Sequence, residues 1–502
     1  MNVYQPAIPV FIIAVPLLAS FMLPVVGWWR RAWAFPLAVG ALALSCGASI
    51  ATARQVLTTG PVQYFMGGWM PPWGIELRID ALGALMLLLL SSLTLLVAIY
   101  SKQSILKELP GLEAQFYSVY LLLVTGLTGI VATADMFNMY VFLEISSLTS
   151  YALIALGGGA AVVSAFRYVI LGTVGAAFYL LAVGYLYSVT GSLNMADLAE
   201  ILPGLYESNA VRVGFAFLVI GLAIKMALFP MHAWLPGAYA DAPSAVSALI
   251  AATTTKVAAY ALVRMMFFVF EPHFSIELIP VTELLSWMGA IAMILGSVMA
   301  IAQTDLKRML AYSSVAQIGY IVLGVGLANA EGLTGGLLHM VNHAVVKGCL
   351  FLVAGAIVYR TGIREIRALR NLSAKMPWTA GAFTVSAFSI IGIPPTSGFF
   401  SKLYLILGAV ESERWVFVGI ILFSSVLALI YFVNVVRYMY FPPEEDGAGE
   451  PRPTLDRVRE EAPLTMLVPT TILAVVVVLL GLFNGEVVSR FITTIIPASF
   501  AR

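Results

Sequence analysis

The chain has 502 residues, of which 61% are hydrophobic and only 11% are charged. Ordinary soluble domains carry roughly 25% charged residues, so a soluble fold could not bury this much apolar surface. The net charge of +1 gives no reason to expect a nucleic-acid partner. The two cysteines, Cys46 and Cys349, lie far apart in apolar stretches and indicate neither a disulfide framework nor a metal site. The composition therefore predicts an integral membrane protein.

Long apolar stretches recur along the whole chain, and no long soluble domain interrupts them. A bilayer span needs about 20 mostly apolar residues. With that length as a guide, the sequence predicts an all-α polytopic membrane protein with about fourteen transmembrane helices. The predicted centres, in chain order, are Val15, Val39, Leu90, Thr125, Ser146, Phe178, Val219, Thr255, Ile294, Gln317, Leu350, 388–405, Ser425 and Val475.

The basic residues divide unequally between the two sets of alternating loops. One set contains most of the lysines and arginines, among them Arg30, Lys107, Lys307 and Arg364, and the other set contains far fewer. Loops rich in Lys and Arg stay on the cytoplasmic side of a membrane. With an even number of spans, this rule predicts that both termini lie on the outer face.

Five ionisable residues lie in or beside apolar helices, where a charge costs at least ~2.5–3.5 kcal/mol on insertion scales. They are Glu144, Lys225, Lys256, Lys347 and Lys402. A lysine near a helix end can instead extend its ammonium group to the membrane surface, and Lys402 fits this alternative best by its spacing. Glu144 and Lys347 lie deep within their predicted spans. Because ionisable groups at that depth typically mark an ion pathway, we expect these residues to carry protons.

A lysine and a carboxylate together can form a protonation switch. Burial favours the neutral form of a lysine, whereas a nearby carboxylate restores the charged form. A buried lysine whose carboxylate partner approaches and withdraws can therefore bind and release a proton. Glu144 and Lys225 are candidates for such a pair, although their spacing along the chain does not show that they touch.

The segment 339–347 places three proton-exchanging groups at intervals of four residues: His339, His343 and Lys347. On a helix they lie near one face, with about 6 Å of rise between neighbours. Histidine titrates near physiological pH, so the three groups form a plausible proton relay. Two alternatives remain. The His-x-x-x-His spacing also occurs in zinc sites, although Met340 stands where that motif has glutamate, and the histidines could simply hydrogen-bond to neighbouring helices.

Prolines interrupt two of the predicted helices beside these lysines. Pro230 follows Lys225, and the proline-containing segment 392–398 precedes Lys402. A proline frees a backbone carbonyl and kinks the helix, which a membrane tolerates only where protein or water satisfies the freed groups. Paired interruptions of this kind indicate inverted repeats around a transport site. The simpler alternative is a chance pair among 25 prolines.

The chain divides into four predicted regions, and each of the two middle regions contains one of these interruptions. The four regions are a three-helix segment at 1–115, a first five-helix repeat at 116–270, a second at 271–441, and a cytoplasmic loop with a C-terminal helix at 442–502. Because five is an odd number of spans, consecutive repeats would cross the membrane in opposite directions.

Four segments resemble the antiporter-like subunits of respiratory complex I and the Mrp cation/proton antiporters. The segment 225–244, KMALFPMHAWLPGAYADAPS, together with Lys256, is the most specific of them. The segment 137–144, FNMYVFLE, is similar to the glutamate helix of that family. The segment 339–352 resembles its histidine–lysine helix, and 392–402 resembles its broken helix.

This resemblance covers nearly the whole chain and implies fourteen helices in two inverted five-helix repeats with broken helices. It implies that Glu144 pairs with Lys225. It also implies that Lys256 and the histidine–lysine helix continue a proton path to Lys402, the terminal carrier. The expected location is the cytoplasmic (inner) membrane of a prokaryote.

Within this family the chain is most similar to the D-type component of the Mrp antiporters. Lys402 differs from the glutamate of the M-type complex I subunit, and the length argues against the L-type subunit and the long A-type Mrp component. We therefore expect a subunit of a multisubunit Na⁺/H⁺ antiporter, a secondary transporter rather than an enzyme. A larger A-type homologue and small multispan subunits are the expected partners in the lipid bilayer, and no cofactor is expected. The alternative is a proton-pumping subunit of complex I (N-type) or of a membrane-bound hydrogenase.

Overall fold

The computed structural model describes residues 7–441 and 459–500. The α-helices in these ranges are α1 (Ile8–Trp29), α2 (Ala34–Thr59), α3 (Ala81–Glu108), α4 (Glu113–Ala132), α5 (Met136–Ala155), α6 (Ala160–Thr190), α7 (Met195–Ile201), α8 (Asn209–Lys225), α9 (Leu235–Asp241), α10 (Ser244–Arg264), α11 (Val281–Ile301), α12 (Leu306–Leu327), α13 (Ala330–Thr361), α14 (Leu372–Lys375), α15 (Pro377–Ile391), α16 (Ser397–Glu411), α17 (Trp415–Tyr440), α18 (Leu464–Leu482), α19 (Asn484–Val487) and α20 (Thr493–Ile495). The strands are β1 (Val62–Phe65) and β2 (Glu76–Ile79). Short 3₁₀ turns lie at Arg31–Trp33, Met66–Gly68, Leu202–Leu205, Ile366–Ala368 and Ala498–Phe500, and π turns at Met265–Val269, Phe274–Leu278 and Val488–Ile492.

Every predicted span coincides with a helix in the described ranges. Eleven helices there are long and apolar enough to cross a membrane, by length and composition. The other three predicted spans are α5, α8 and the interrupted pair α15–α16, which are shorter or more polar. These three spans hold Glu144, Lys225 and Lys402. The prediction of an all-α polytopic membrane protein is confirmed, and the β1–β2 hairpin was not predicted.

Short polar residues fix where several helices begin. Asp80, Asp135 and Asp305 stand directly before α3, α5 and α12, and each carboxylate accepts a hydrogen bond from the backbone N–H three residues later. These bonds satisfy donors that the first turn of a helix leaves free. Gly191 and Gly362 follow the ends of α6 and α13 with φ of +69° and +70°, a left-handed conformation that glycine adopts without steric cost.

The junctions that begin at Asp135 and Asp305 have the same local structure. Asp135 pairs through its backbone with Asn194, just after α6 ends, and Asp305 pairs with Glu365, just after α13 ends. In both places the second helix of a predicted repeat is tied to the end of the third. The two junctions lie on opposite faces of the helix bundle, so the corresponding helices run in opposite directions, as in an inverted repeat.

Two faces of the bundle can be named from these elements. The hairpin face carries β1 and β2, which pair antiparallel, and the basic face, at the other ends of the helices, carries Lys107 and Arg364. Phe500 packs against Phe267 on the hairpin face, where α1 also begins. That the basic face is cytoplasmic stays a prediction from the positive-inside rule.

The centre of the bundle is formed by α10, α12 and α13, whose residues are almost all buried, whereas α1, α2, α6 and α17 present most of theirs to the outside. Helix α13 packs against α10, α12, α15 and α16. Side chains on its inner faces are therefore surrounded by protein. The boundaries of the two five-helix repeats stay a prediction, which the matching junctions support. The predicted cytoplasmic loop at 442–458 lies outside the described residues.

Candidate functional site

Glu144 of α5 and Lys225 of α8 come together in the first half of the chain. Lys225 Nζ lies 3.6 Å from Glu144 Oε1 and donates a hydrogen bond to Ser147 Oγ at 2.6 Å. The Lys225 side chain is 5% exposed and that of Glu144 is 25% exposed. A separation of 3.6 Å makes an ion pair but exceeds the usual hydrogen-bond distance. The carboxylate therefore has room to close onto the ammonium group or to withdraw from it.

Lys225 is the last residue of α8, and the chain leaves the helix directly after it. Ala227 has a φ of +58°, and α9 begins only at Leu235. The break leaves carbonyl groups of the last turn without helical partners, and Trp234 Nε1 donates to one of them, Ile224 O, at 3.0 Å. The carbonyl end of a helix carries partial negative charge, which favours a cation at this position.

A small polar cavity lies between Lys225 and α10. Its volume is about 20 Å³, and its lining includes Ser147, Ser150 and Lys225 on one side and Thr254 on the other. A polar cavity of this size can hold about one water molecule. It therefore offers a hydrogen-bonded connection from the ion pair toward the helix that carries Lys256.

Lys256 lies at the centre of the bundle and is fully buried. Its ammonium group donates to Ala251 O and, at 3.4 Å, to Thr255 Oγ1, both on its own helix. Among the ion pairs of the described residues, none joins Lys256 to a carboxylate. The group interacts electrostatically with His343 and Lys347 on α13. Because charges repel at this depth, only some of these groups can be protonated at one time.

Lys347 turns from α13 toward α12. Its Nζ donates to Leu310 O and to Ser313 Oγ, both at 2.9 Å. Tyr431 of α17 donates to the same Ser313 hydroxyl at 3.0 Å. A chain of hydrogen bonds thus runs from the centre of α13 to α17 through one serine.

The two histidines of α13 have different surroundings, although both are fully buried. His339 Nδ1 lies 2.9 Å from Ser401 Oγ and its Nε2 lies 3.0 Å from Gln317 Oε1. The rings of His339 and His343 have centroids 6.3 Å apart. Neither nitrogen of His343 has a hydrogen-bond partner among the described residues. His339 is therefore held in place, whereas His343 has two ring nitrogens free to exchange protons.

Lys402 of α16 is buried against the end of α15. Its Nζ donates to Ile390 O at 2.8 Å, to Ile391 O at 3.0 Å and to Ser425 Oγ at 2.9 Å. The same ammonium group lies 4.7 Å from the centre of the Tyr320 ring. All three of its hydrogens are thus bound within the protein. The alternative that Lys402 extends to the membrane surface is wrong, because the interrupted helix supplies carbonyl acceptors inside the bundle.

The seven predicted residues are buried or partly buried in one band of the bundle. They are Glu144, Lys225, Lys256, His339, His343, Lys347 and Lys402. In the part of the chain that the structure describes, no direct hydrogen bond joins Lys225 to Lys256, or His339 to His343, so a proton crossing either gap needs a bridging water. No cluster of three or more His, Cys, Asp or Glu suited to a metal ion occurs in that part either.

Several polar partners of these residues could not be identified from the sequence. They are Ser147, Ser313, Gln317, Tyr320, Ser401, Ser425 and Tyr431. Serine and tyrosine are common in apolar helices, where serine usually bonds to the preceding turn. Only the packing of α5 against α8, and of α12, α13, α16 and α17 near one another, distinguishes these from the rest.

The sequence places Lys307 in a loop of the basic face, and this prediction is wrong. Lys307 is the second residue of α12, its side chain is buried, and it donates to Ala242 O at 2.6 Å. The reason is tertiary packing, because α9 ends against α12 and covers the lysine. The adjacent Arg308 is exposed, as expected.

Two sequence relatives cover most of the chain. A protein of Desulforudis audaxviator named NADH-quinone oxidoreductase subunit N is 48% identical over 461 residues, which are 91% of this chain and 92% of that protein. The D-type component of an Na(+)/H(+) antiporter of Alkalihalophilus pseudofirmus is 32% identical over 446 residues, covering 88% of this chain and 87% of that one.

Two solved structures are similar over nearly the full length. A chain of the Mrp complex from Dietzia sp. superposes with a TM-score of 0.86 at 29% identity, and the match covers 97% of this chain and 96% of that one. A chain of the membrane-bound sulfane sulfur reductase, an archaeal respiratory membrane complex, superposes with a TM-score of 0.88 at 30% identity and the same coverage. The family model described as NADH:quinone oxidoreductase/Mrp antiporter, TM matches residues 133–428. With its interrupted helices and its buried lysines within that range, the chain belongs to this family of membrane subunits.

Proposed function

We propose that this chain is the proton-translocating subunit of a multisubunit membrane complex. The observation that supports the proposal most strongly is the band of buried ionisable side chains from the Glu144–Lys225 ion pair to Lys402. Placing this many ionisable groups at membrane depth is costly, and it is typical of proton pathways. The interrupted helices beside Lys225 and Lys402 supply the carbonyl groups that favour their charged forms.

The ion pair acts as the switch. With Glu144 close, the ammonium form of Lys225 is stabilised. When the carboxylate withdraws, Lys225 keeps only its hydrogen bond to Ser147, and its proton is released toward the 20 Å³ cavity and α10. From the cavity, which Thr254 lines on α10, water carries the proton to Lys256, whose ammonium form has a backbone acceptor at Ala251 O.

The second half of the path runs along α13. From Lys256 the proton passes to His343 through water, and through a second water to His339. His339 hands it to the hydroxyl of Ser401, and water carries it from Ser401 to Lys402. Lys402 holds the proton against the carbonyl groups at the end of α15 until it is released.

The first candidate for what drives proton movement along this path is exchange against a monovalent cation. The similarity to the D-type component of an Na(+)/H(+) antiporter over 88% of the chain and to a chain of the Mrp complex supports it. The protein would then be a secondary transporter subunit with Na⁺ and H⁺ as its ions. A larger homologous subunit and small multispan subunits would be its partners.

Coupling to an oxidoreductase is the second candidate, and a specific observation favours it. The relative named NADH-quinone oxidoreductase subunit N is 48% identical over 91% of the chain, and the second structural relative belongs to a respiratory complex. The same proton path would then be driven by electron transfer in partner subunits.

Purification of the tagged chain from its native membrane, with mass spectrometry of the co-purifying proteins, separates the two candidates. The same preparation is reconstituted into liposomes with an internal pH dye. An antiporter moves protons when a sodium gradient is applied, whereas a redox-driven subunit moves them only when electron donor and acceptor are supplied. Proton movement under neither condition by a complex of intact composition would reject the proposed function.

A further inference from the structure

A buried ion pair lies where α10 ends at the hairpin face, apart from the band described above. Arg264 Nη1 and Nη2 donate to the two carboxylate oxygens of Asp80 at 2.5 and 2.6 Å. The side chains are 12% and 25% exposed. Burial opposes ionisation of Asp80, but Arg264 and the hydrogen bond from Gly83 N outweigh it and hold the pKa of the carboxyl below its usual value. The carboxyl group of Asp80 is therefore favoured in its charged form, and both of its oxygens accept from Arg264.

Arg264 lies on the same side of α10 as Lys256. Lys256, Tyr260 and Arg264 are spaced four residues apart, with about 6 Å of rise between neighbours. The Tyr260 hydroxyl donates to Val131 O at 2.9 Å and accepts from Arg264 Nη2 at 3.0 Å. Tyr260 and Arg264 are thus bonded to each other, and Lys256 lies one turn before Tyr260 on the same side of the helix, so only the step from Lys256 to the Tyr260 hydroxyl needs a bridging water.

A cavity of about 320 Å³ opens beyond the pair on the hairpin face. Its lining includes Arg78, Asp80, Thr133, Glu200 and Arg264. The cavity therefore has charged walls, and the Asp80–Arg264 pair forms part of its boundary toward Tyr260. Removing the guanidinium group would join the cavity to the polar side of α10.

We propose that the Asp80–Arg264 pair is a closed gate between Lys256 and the hairpin face, forming a second opening for protons distinct from the Lys402 end of the path. While the gate is closed, the fixed charge of Arg264 repels a proton at that point, as arginine does in other selective pores. When Arg264 moves aside, a proton leaves the Lys256 ammonium group and passes through water and the Tyr260 hydroxyl to water in the cavity. This inference rests on the proposed function.

The alternative is that the pair only ties α10 to the start of α3. The passive proton leak through the complex distinguishes the two roles. It is measured in liposomes that contain the complete complex and a pH dye, under an imposed proton gradient and without a driving ion or electron donor. For Arg264→Gln, which removes the charge that repels the proton, we expect a leak roughly tenfold above that of the unmodified complex, which corresponds to a barrier lower by about 1.4 kcal/mol. The Arg264→Gln/Lys256→Met double variant should return to the basal leak, because the route begins at Lys256.

Glu207→Gln is the matched control, since it breaks an exposed ion pair with Arg212 elsewhere in the chain and should leave the leak unchanged. If Arg264→Gln does not assemble, Asp80→Asn replaces it, because Arg264 then loses the carboxylate that holds it in place and can move aside. The gate proposal would be overturned if the assembled single variant showed only the basal leak. It would also be overturned if the raised leak persisted in the double variant that lacks Lys256. Absence of driven transport in the unmodified complex would instead reject the proposed function.

Discussion

Lys225 and Lys402 both lie beside an interrupted helix, but the protein surrounds the two ammonium groups with different partners. Lys225 has a carboxylate 3.6 Å away and one serine. Lys402 is bound by Ile390 O, Ile391 O and Ser425 Oγ, and no ion pair of the described residues includes it. Both lysines thus lie at the carbonyl end of a helix, but only Lys225 has a carboxylate beside it, whereas Lys402 donates directly to two carbonyl groups of its helix end.

This difference indicates a division of roles. A side chain can rotate away, so the charge on Lys225 can be switched by one small movement. Backbone carbonyls at the end of α15 stay in place unless the helix itself moves, so Lys402 is suited to hold a proton rather than to initiate its transfer. Under the proposed path, a lysine beside an interrupted helix thus acts as a switch in the first predicted repeat and as a receiver in the second.

Removing the switch should have the largest effect. In Glu144→Ala, Lys225 keeps its serine but loses its carboxylate partner, so driven proton transport should fall by about 100-fold or more, the range of a lost proton-transfer group. The measurement is proton uptake by liposomes containing the assembled complex. Glu486→Ala, which removes an exposed carboxylate paired with Arg490, is the control. Near-normal transport by the Glu144→Ala complex would show that no carboxylate switch operates.

The loss of proton transport on replacing Lys402, the proposed receiver, should depend on whether the new side chain can exchange a proton. In Lys402→Glu a protonated carboxyl can donate one hydrogen bond to Ile390 O or Ile391 O and can exchange its proton, whereas alanine can do neither. We expect transport by Lys402→Glu to lie between that of the unmodified complex and that of Lys402→Ala, which should lose about tenfold or more. Lys375→Ala at the basic face, where the lysine pairs with Glu460, serves as the control. Equal losses in both Lys402 variants would indicate a structural lysine.

Proton transport should tolerate the loss of a relay histidine better than the loss of Glu144 or Lys402. His339→Ala removes one proton carrier between Gln317 and Ser401, but water can bridge groups that lose a single intermediate. A several-fold loss of proton flux is expected. His273→Ala, at an exposed histidine paired with Glu277, should have no effect. A loss in His339→Ala as large as in Glu144→Ala would make the histidine an obligatory carrier.

The smallest effect is expected at the hydroxyl that supports Lys347. Tyr431→Phe removes the hydrogen bond to Ser313 and leaves the bonds from Lys347 to Leu310 and Ser313 intact. One hydrogen bond contributes about 0.5–1.5 kcal/mol, so transport should change by only a few-fold. An unchanged Tyr438→Phe variant, whose ring lies beside Arg437, would confirm that the effect is local. Complete loss of transport in Tyr431→Phe would indicate that Lys347 carries protons on the main path.

Much of this fold could be predicted from hydropathy and from helix-boundary residues. All the predicted spans coincide with helices because burial in lipid leaves few alternatives for the backbone. The glycines at 191 and 362 and the aspartates at 135 and 305 carry local signals of helix ends. The β1–β2 hairpin was missed because its strands have four residues each and lie in a polar stretch.

The site could be predicted only in part. Buried lysines stand out because charges are rare at membrane depth, and their positions in interrupted helices could be seen from nearby prolines. Their partners depend on which helices pack beside them, such as α5 beside Lys225 and α17 beside Lys402, and no local pattern encodes this packing. The same reason explains Lys307 and Arg264, whose burial follows from contacts with Ala242 and Asp80 in distant parts of the chain.

The proposed proton path depends on Lys225 more than on any other residue, and one measurement tests it most directly. Driven proton flux is compared in liposomes containing the complete complex with Lys225→Ala or with Lys102→Ala, which removes an exposed lysine beside Phe35. We predict that the Lys225→Ala complex assembles normally but no longer moves protons, and that the Lys102→Ala complex matches the unmodified one. A Lys225→Ala complex of normal composition that moves protons at the unmodified rate would contradict the proposed path.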